Sequence, residues 1–253
     1  MKKIGIVGFG RFGELLARLS TGVFDVHIVE SDPQHKSAAA ENYTVIPFES
    51  LVDMDYIYLA VPISKIENIL IQLASIVTEN QVVIDLCSVK VYPVQLMKKY
   101  LHHVQILGSH PLFGPDSAKK GLQGLQVAIC PINISDDNLQ ILTDFWTNQG
   151  VVILQTTPED HDKDSVYSQA FTYAVARIIN NMQLPDITFT TRSYKAITEV
   201  ANLSANDTDQ LFHDMFFYNP YFRQMKAQLE QSITTTDIIL NEIEAEQSAA
   251  KPF

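Results

Sequence analysis

His110 lies in the stretch "GSHPLFGP", between a run of strand-like residues and a turn that Pro111 and Pro115 would stiffen. Imidazole gains and loses a proton near neutral pH, so a histidine held at a strand end suits general base catalysis. Ser88, in "DLCSVK", follows another apolar run in the same way. If the two runs are neighbours in one sheet, both groups address one substrate atom. The chemistry that fits is removal of a hydroxyl proton while the carbon bearing it gives up a hydride. A packing role for His110 is the competing reading.

A hydride needs an acceptor, and "GFGRFG" supplies Gly8, Gly10 and Gly13 in the G-x-G-x-x-G spacing between an apolar strand and the helix-compatible "RFGELLARLS". One glycine makes a tight turn, the next lets backbone approach a diphosphate, and the third lets helix and strand pack closely. The diphosphate meets the positive end of the helix. The expected cofactor-binding residues are therefore Gly8, Phe9, Gly10, Arg11, Phe12 and Gly13. Glu30 ends "DVHIVE", where a carboxylate accepts hydrogen bonds from the adenosine ribose. Glu30, Ser31 and Asp32 offer no cation to a 2′-phosphate, although Lys36 follows closely, so NAD is favoured and NADP is the alternative. Val61 and Pro62, in "AVP", end a further strand where backbone would pass the nucleotide. The sequence holds no metal-ligand spacing.

"GFGRFG", "CSVK", "SHPLFGPDS" and "HDKDSVYSQAFTYAVARII" together resemble the prephenate/arogenate dehydrogenase family of tyrosine biosynthesis, the plant-type arogenate dehydrogenases most of all. The resemblance runs in order over residues 3–230. It implies an NAD(P)-dependent oxidative decarboxylation of arogenate to tyrosine, or of prephenate to 4-hydroxyphenylpyruvate. On this reading His110 takes the ring hydroxyl proton, and Ser88 hydrogen-bonds that hydroxyl or orients the histidine and nicotinamide. His161 and Gln169 match the family element and are expected to bind substrate. Tyr173, also expected to bind substrate, stands where members commonly carry a histidine. His161, Ser165, Gln169 and Tyr173 also recur every four residues, one polar face of a helix.

Arogenate differs from prephenate by an ammonium group. Asp207, in "EVANLSANDTDQLF", matches an acid of arogenate-selective members, and Asn202 lies near the place of a carboxylate-binding arginine. A carboxylate facing an ammonium favours arogenate. A helix-start acid is the plainer explanation of Asp207. Lys90, Arg192, Lys195 and Arg223 are open candidates for holding substrate carboxylates. Two other functions compete. A β-hydroxyacid dehydrogenase or reductase of the same fold would use a second-domain lysine, for which Lys163 and Lys195 are candidates. A noncatalytic nucleotide-sensing regulator would bind cofactor without turnover.

The elements that must position these residues are those of an α/β chain. Eight short β-branched runs, at 3–8, 25–30, 43–47, 56–61, 81–86, 104–108, 125–130 and 151–155, alternate with helical stretches such as 64–77 and 135–150. The pattern predicts a Rossmann-type, doubly wound, mostly parallel sheet in residues 1–156. Residues 157–246 read as an all-helical substrate and dimerisation domain, followed by a frayed tail at 247–253. Its helices are expected at 159–182, with Thr157 or Asp160 as N-cap, through "RSYKAITEVANL", after "SANDTDQ" with Ser204 or Asn206 as N-cap, and from Pro220. A helical domain of this size is expected to complete its core with a second copy, giving a homodimer.

The 253 residues, 46% hydrophobic and 19% charged, are typical of a globular protein. A net charge of -11 argues against general affinity for nucleic acid or anionic membrane. "MKKIGIVGFGR" has the charges of a secretory signal but a short, glycine-broken apolar run, and is read as a strand and turn. Cys87 and Cys130 are expected buried and reduced, which suits a cytoplasmic protein.

Overall fold

The computed structural model describes residues 1–203 and 208–250. The sheet-forming part contains β1 (Lys3–Val7), α1 (Arg11–Ser20), β2 (Asp25–Val29), α2 (Pro33–Ala40), β3 (Thr44–Val45), β4 (Tyr56–Leu59), α3 (Ile66–Leu73) and β5 (Val82–Asp85). It continues through α4 (Val91–Tyr100), β6 (Gln105–Pro111), α5 (Pro115–Ala118), β7 (Gln126–Asn133), α6 (Asp136–Thr147) and β8 (Val152–Gln155). Every predicted strand is present. They form one sheet in the order β3-β2-β1-β4-β5-β6-β7-β8, parallel except where β6 meets β7. "MKKIGIVGFGR" is β1 and the turn after it.

The central strands are buried on both faces, which is why they read as unbroken apolar runs. One core packs α1, α2 and α6 on the sheet through Leu16, Ala39 and Phe145. The other packs α3 and α4 through Leu70 and Met97. The chain starts at β1, winds out to β3 and returns to β4 on the other side of β1. This reversal opens a crevice beyond the carboxyl ends of β1 and β4, where wound sheets take their ligands.

Of the strand boundaries that differ from expectation, one concerns the site. The antiparallel partner β7 carries the ladder past Gly108, so His110 lies inside β6, opposite Ala128, and not beyond its end.

The helical part contains α7 (Pro158–Ser165), α8 (Phe171–Asn181), α9 (Arg192–Leu203), α10 (Asp209–Phe217) and α11 (Phe222–Ala249). Thr157 caps α7, its Oγ1 accepting the Asp160 N–H at 3.1 Å. The expected single helix is interrupted by a π-turn at Val166–Ala170, which rotates the residues after it. The cap of α10 is Thr208, whose Oγ1 accepts the Leu211 N–H at 3.1 Å; the expected caps Ser204 and Asn206 lie outside the described residues. Residues 247–249, expected to fray, extend α11.

Two buried carboxylates join the helical part to the sheet. Asp162 accepts backbone N–H groups of Lys90 and Val91 at the start of α4, at 2.6 and 2.9 Å. Asp214, on α10, accepts the Ser64 N–H at 3.1 Å, just before α3. The first turn of a helix has N–H groups without intrahelical partners and the positive end of the dipole, so a carboxylate stabilises it. Tyr218 packs against Tyr92 with ring centroids 4.4 Å apart. Cys87 and Cys130 are free and buried. Among the described residues no helix is long and apolar enough to cross a membrane.

Candidate active site

Gly8 has φ +99, open to glycine at little cost, and a Cβ there would lie 2.5 Å from the Ala60 carbonyl oxygen. A Cβ on Gly13 would come 2.1 Å from the Gly8 oxygen, so only glycine lets α1 start this close to β1. At Gly10 a Cβ would meet nothing within 4 Å. That position is the N-cap of α1 and makes no side-chain cap. A tight turn, a close helix and an open face at an uncapped helix start are what a diphosphate requires.

Glu30 lies at the end of β2, and its carboxylate accepts N–H bonds from Phe9 and Ser31 at 2.6 Å and from Asp32 at 2.8 Å. It ties the glycine loop to the β2 end and still has lone pairs for ribose hydroxyls. Asp32 caps α2 by accepting from Gln34 and His35, both at 3.0 Å. Val61 and Pro62 follow β4, and a Cβ on Gly8 would lie 3.0 Å from Val61 Cγ1. Arg11 bonds the carboxylate of Asp116, which Lys119 also holds at 2.8 Å. These two cations bring the Asp116 carboxyl down to about 2. With the Phe12–Phe113 contact, 6.4 Å between centroids, they fasten the glycine loop to the loop behind His110.

Ser88 and His110 follow from adjacent strands, β5 and β6, as their sequence positions require. Both are buried. Ser88 Oγ and Gln169 Oε1 are buried and, among the described residues, have no hydrogen-bond partner. Buried polar atoms without partners are costly, and a bound ligand could supply the missing ones. The residues present thus fit a dinucleotide.

His110 Nδ1 and His161 Nε2 are hydrogen-bonded at 2.9 Å. His161 Nδ1 in turn lies 2.8 Å from Asp162 Oδ1. Both ring nitrogens of His161 are thereby engaged within the protein, one by His110 and the other by Asp162. Lys90 is fully buried, bonding the carboxylate of Asp85 and donating to the Ser109 carbonyl at 2.6 Å. It therefore supports the strand under His110 and is not available to a substrate carboxylate. Arg192, Lys195 and Arg223 are exposed. Tyr173 is half-buried against the helical core. Asp207 lies outside the described residues.

Asp162 was missed by sequence reasoning, which groups it with the solvated charges at the helix start. The signal was available: Asp162, Val166 and Ala170 recur every four residues, so the buried apolar stripe runs back into this acid.

Burial, then the neighbouring His161 and Lys90, push His110 well below 6.5. Its neutral, proton-accepting form therefore persists into mildly acid solution. We expect the acid limb of kcat/KM to fall below pH 6.5, and a limb at or above that value would exclude His110 as the base. Folding stability carries the same sign: below about pH 6.5 the unfolded chain takes up a proton that folded His110 refuses, so acid destabilises.

The family description "Prephenate dehydrogenase, nucleotide-binding domain" matches residues 18–155, more than half of the chain. The chain belongs to the prephenate dehydrogenase family. A second description, "TYRAAT1-like, C-terminal domain", matches residues 178–251. Arogenate dehydrogenase 1, chloroplastic, of Arabidopsis thaliana is 29% identical over 231 residues, 86% of this chain and 36% of that protein. Arogenate dehydrogenase 2, chloroplastic, of the same plant is 25% identical over 243 residues, 91% of this chain and 67% of that protein. The chain thus spans about a third of the first plant relative and two thirds of the second. Prephenate dehydrogenase from Aquifex aeolicus, solved with hydroxyphenyl propionate and NAD+, shares the fold with TM-score 0.75 and 22% identity, covering 97% of this chain and 93% of that one. Synechocystis arogenate dehydrogenase superposes with TM-score 0.69 at 20% identity, with the same coverages. Within the prephenate dehydrogenase family, this chain's wound sheet and helical C-terminal part are the shared architecture.

Proposed function

We propose that this chain catalyses the NAD-dependent oxidative decarboxylation of arogenate, with prephenate as the alternative substrate. The observation that carries the reading is the pairing of an open glycine turn at the sheet crevice with a neutral, buried His110 on a nearby strand. A bound nicotinamide would accept the hydride from the ring carbon that bears the hydroxyl. His110 takes that hydroxyl's proton. In this reading Ser88 Oγ hydrogen-bonds the hydroxyl or orients the histidine and nicotinamide, and Gln169 binds substrate. Loss of the ring carboxylate as carbon dioxide leaves its bonding electrons to complete the aromatic ring. The protein contributes position and electrostatics.

Glu30 and Asp32 are acids at the end of β2, where their charge would disfavour a 2′-phosphate, which supports NAD over NADP. The names of the plant relatives support arogenate, and so does the sequence match of Asp207 to an acid of arogenate-selective members. A spectrophotometric panel of arogenate and prephenate, each with NAD and NADP, tests these readings. We expect reduced nicotinamide to appear fastest with arogenate and NAD; no turnover in any of the four assays would sink the proposal. In the same panel Asp207→Asn should move the kcat/KM ratio towards prephenate, and an unchanged ratio would assign Asp207 to the helix start.

We also propose residues 157–246 as the substrate and dimerisation domain of a cytoplasmic homodimer. Phe171, Ile178, Met182, Ile187, Phe189 and Ile197 are exposed on its surface, apolar side chains that a second copy could cover. Light scattering should give twice 28.4 kDa, and a monomer at micromolar concentration would refute the dimer.

A further inference from the structure

Asp162 is fully buried, and its position is set by two separate parts of the chain. Oδ1 accepts the Lys90 N–H at 2.6 Å and Oδ2 the Val91 N–H at 2.9 Å. Asn219, on the approach to α11, donates to the Asp162 carbonyl at 3.0 Å. A carboxylate has acceptors only, so the His161 Nδ1 that faces Oδ1 at 2.8 Å carries a hydrogen. In a neutral imidazole the other nitrogen then carries a lone pair. That nitrogen, His161 Nε2, faces His110 Nδ1 at 2.9 Å, so the hydrogen of this second bond sits on His110 Nδ1. The remaining nitrogen of His110, Nε2, is left bare.

We propose that Asp162 and His161 are positioning residues that hold the hydrogen of His110 on Nδ1 and thereby present Nε2 as the base. The inference rests on His110 being the base of the proposed reaction. The two rings meet at 66° with centroids 5.1 Å apart, a geometry that fixes the direction in which Nε2 points as well as its protonation. When Nε2 takes the substrate proton, the charge on the His110 ring is shared through Nδ1–H with His161, which Asp162 stabilises from behind. The charged groups around this relay are Lys90 and Asp85 from the sheet side and Asp162 from α7. Neutral His161 is the form whose Nε2 can accept the His110 Nδ1–H. A cationic His161 would reverse the relay and put the hydrogen on His110 Nε2, where no base would remain.

Imidazole nitrogen NMR on histidine-labelled protein without cofactor reads the tautomer directly, with the His110 signals identified by their loss in His110→Asn. We expect a protonated Nδ1 and a bare Nε2 at neutral pH. A protonated Nε2 would overturn the proposal. This readout needs no turnover, so its failure is distinguishable from failure of the dehydrogenase reading. Two variants separate positioning from packing. His161→Gln keeps an acceptor oxygen towards His110 and should retain the tautomer, with kcat within about tenfold of the parent. His161→Leu removes the acceptor and should lower kcat by roughly 10²-fold or more while KM and cofactor affinity hold, the split expected for a base in the wrong tautomer. Equal losses in the two variants, or none in either, would show that His161 acts only by filling space.

Discussion

Replacing His110 by asparagine lowers kcat by roughly 10² to 10⁴-fold, the usual contribution of a positioned general base, and leaves cofactor affinity nearly unchanged. Both halves follow from geometry. His110 sits inside β6, two strands from the crevice between β1 and β4, where the glycine turn and Glu30 would hold the dinucleotide. Asparagine can keep one hydrogen bond towards His161 but cannot take up a substrate proton. Steady-state kinetics with cofactor titration by fluorescence checks the result. An unaffected kcat would return His110 to a packing role.

The second large effect is on stability. Lys90 and Asp85 form an ion pair with both side chains fully buried. Lys90→Met leaves Asp85 buried without its cation, and breaking such a pair from one side costs about 3 to 5 kcal/mol. In a domain of this size each kcal/mol lowers Tm by about 2 to 4 °C, so the fall is large enough for calorimetry to resolve. Burial already pushes the Asp85 carboxyl up against the opposing pull of Lys90. Without that cation the carboxyl rises further and protonates more easily in the folded state. The loss is therefore smaller at pH 5 than at pH 8. The double variant Asp85→Leu, Lys90→Met, which removes both charges, should recover most of the lost stability. A double variant as unstable as the single one would mean that Lys90 matters for its bond to the Ser109 carbonyl and not for the charge pair.

The sheet was legible in the sequence because a strand buried on both faces needs a short run of β-branched and apolar residues, and eight such runs stood between helical stretches. The glycine turn and Glu30 were legible for a related reason: their constraint is local, a fixed spacing between a strand end and a helix start. Ser88 and His110 could be named because wound sheets collect their functional groups at one edge.

What needed the tertiary structure was every property set by a partner distant in sequence. His110 falls inside β6 because β7 pairs with it. Lys90 reads as a free cation, yet Asp85 and the Ser109 carbonyl take it into the interior. His161 reads as one residue of a polar helical face, and Asp162 as a solvated charge beside it. Packing of α7 on the start of α4 turns the acid inward to cap that helix and sets the histidine behind His110. Residue type and spacing determined that His110, the proposed base, and the glycine turn would share one edge of the sheet. Which nitrogen of that base is left bare depends on hydrogen bonds from residues 51 positions away, and only the folded chain decides it.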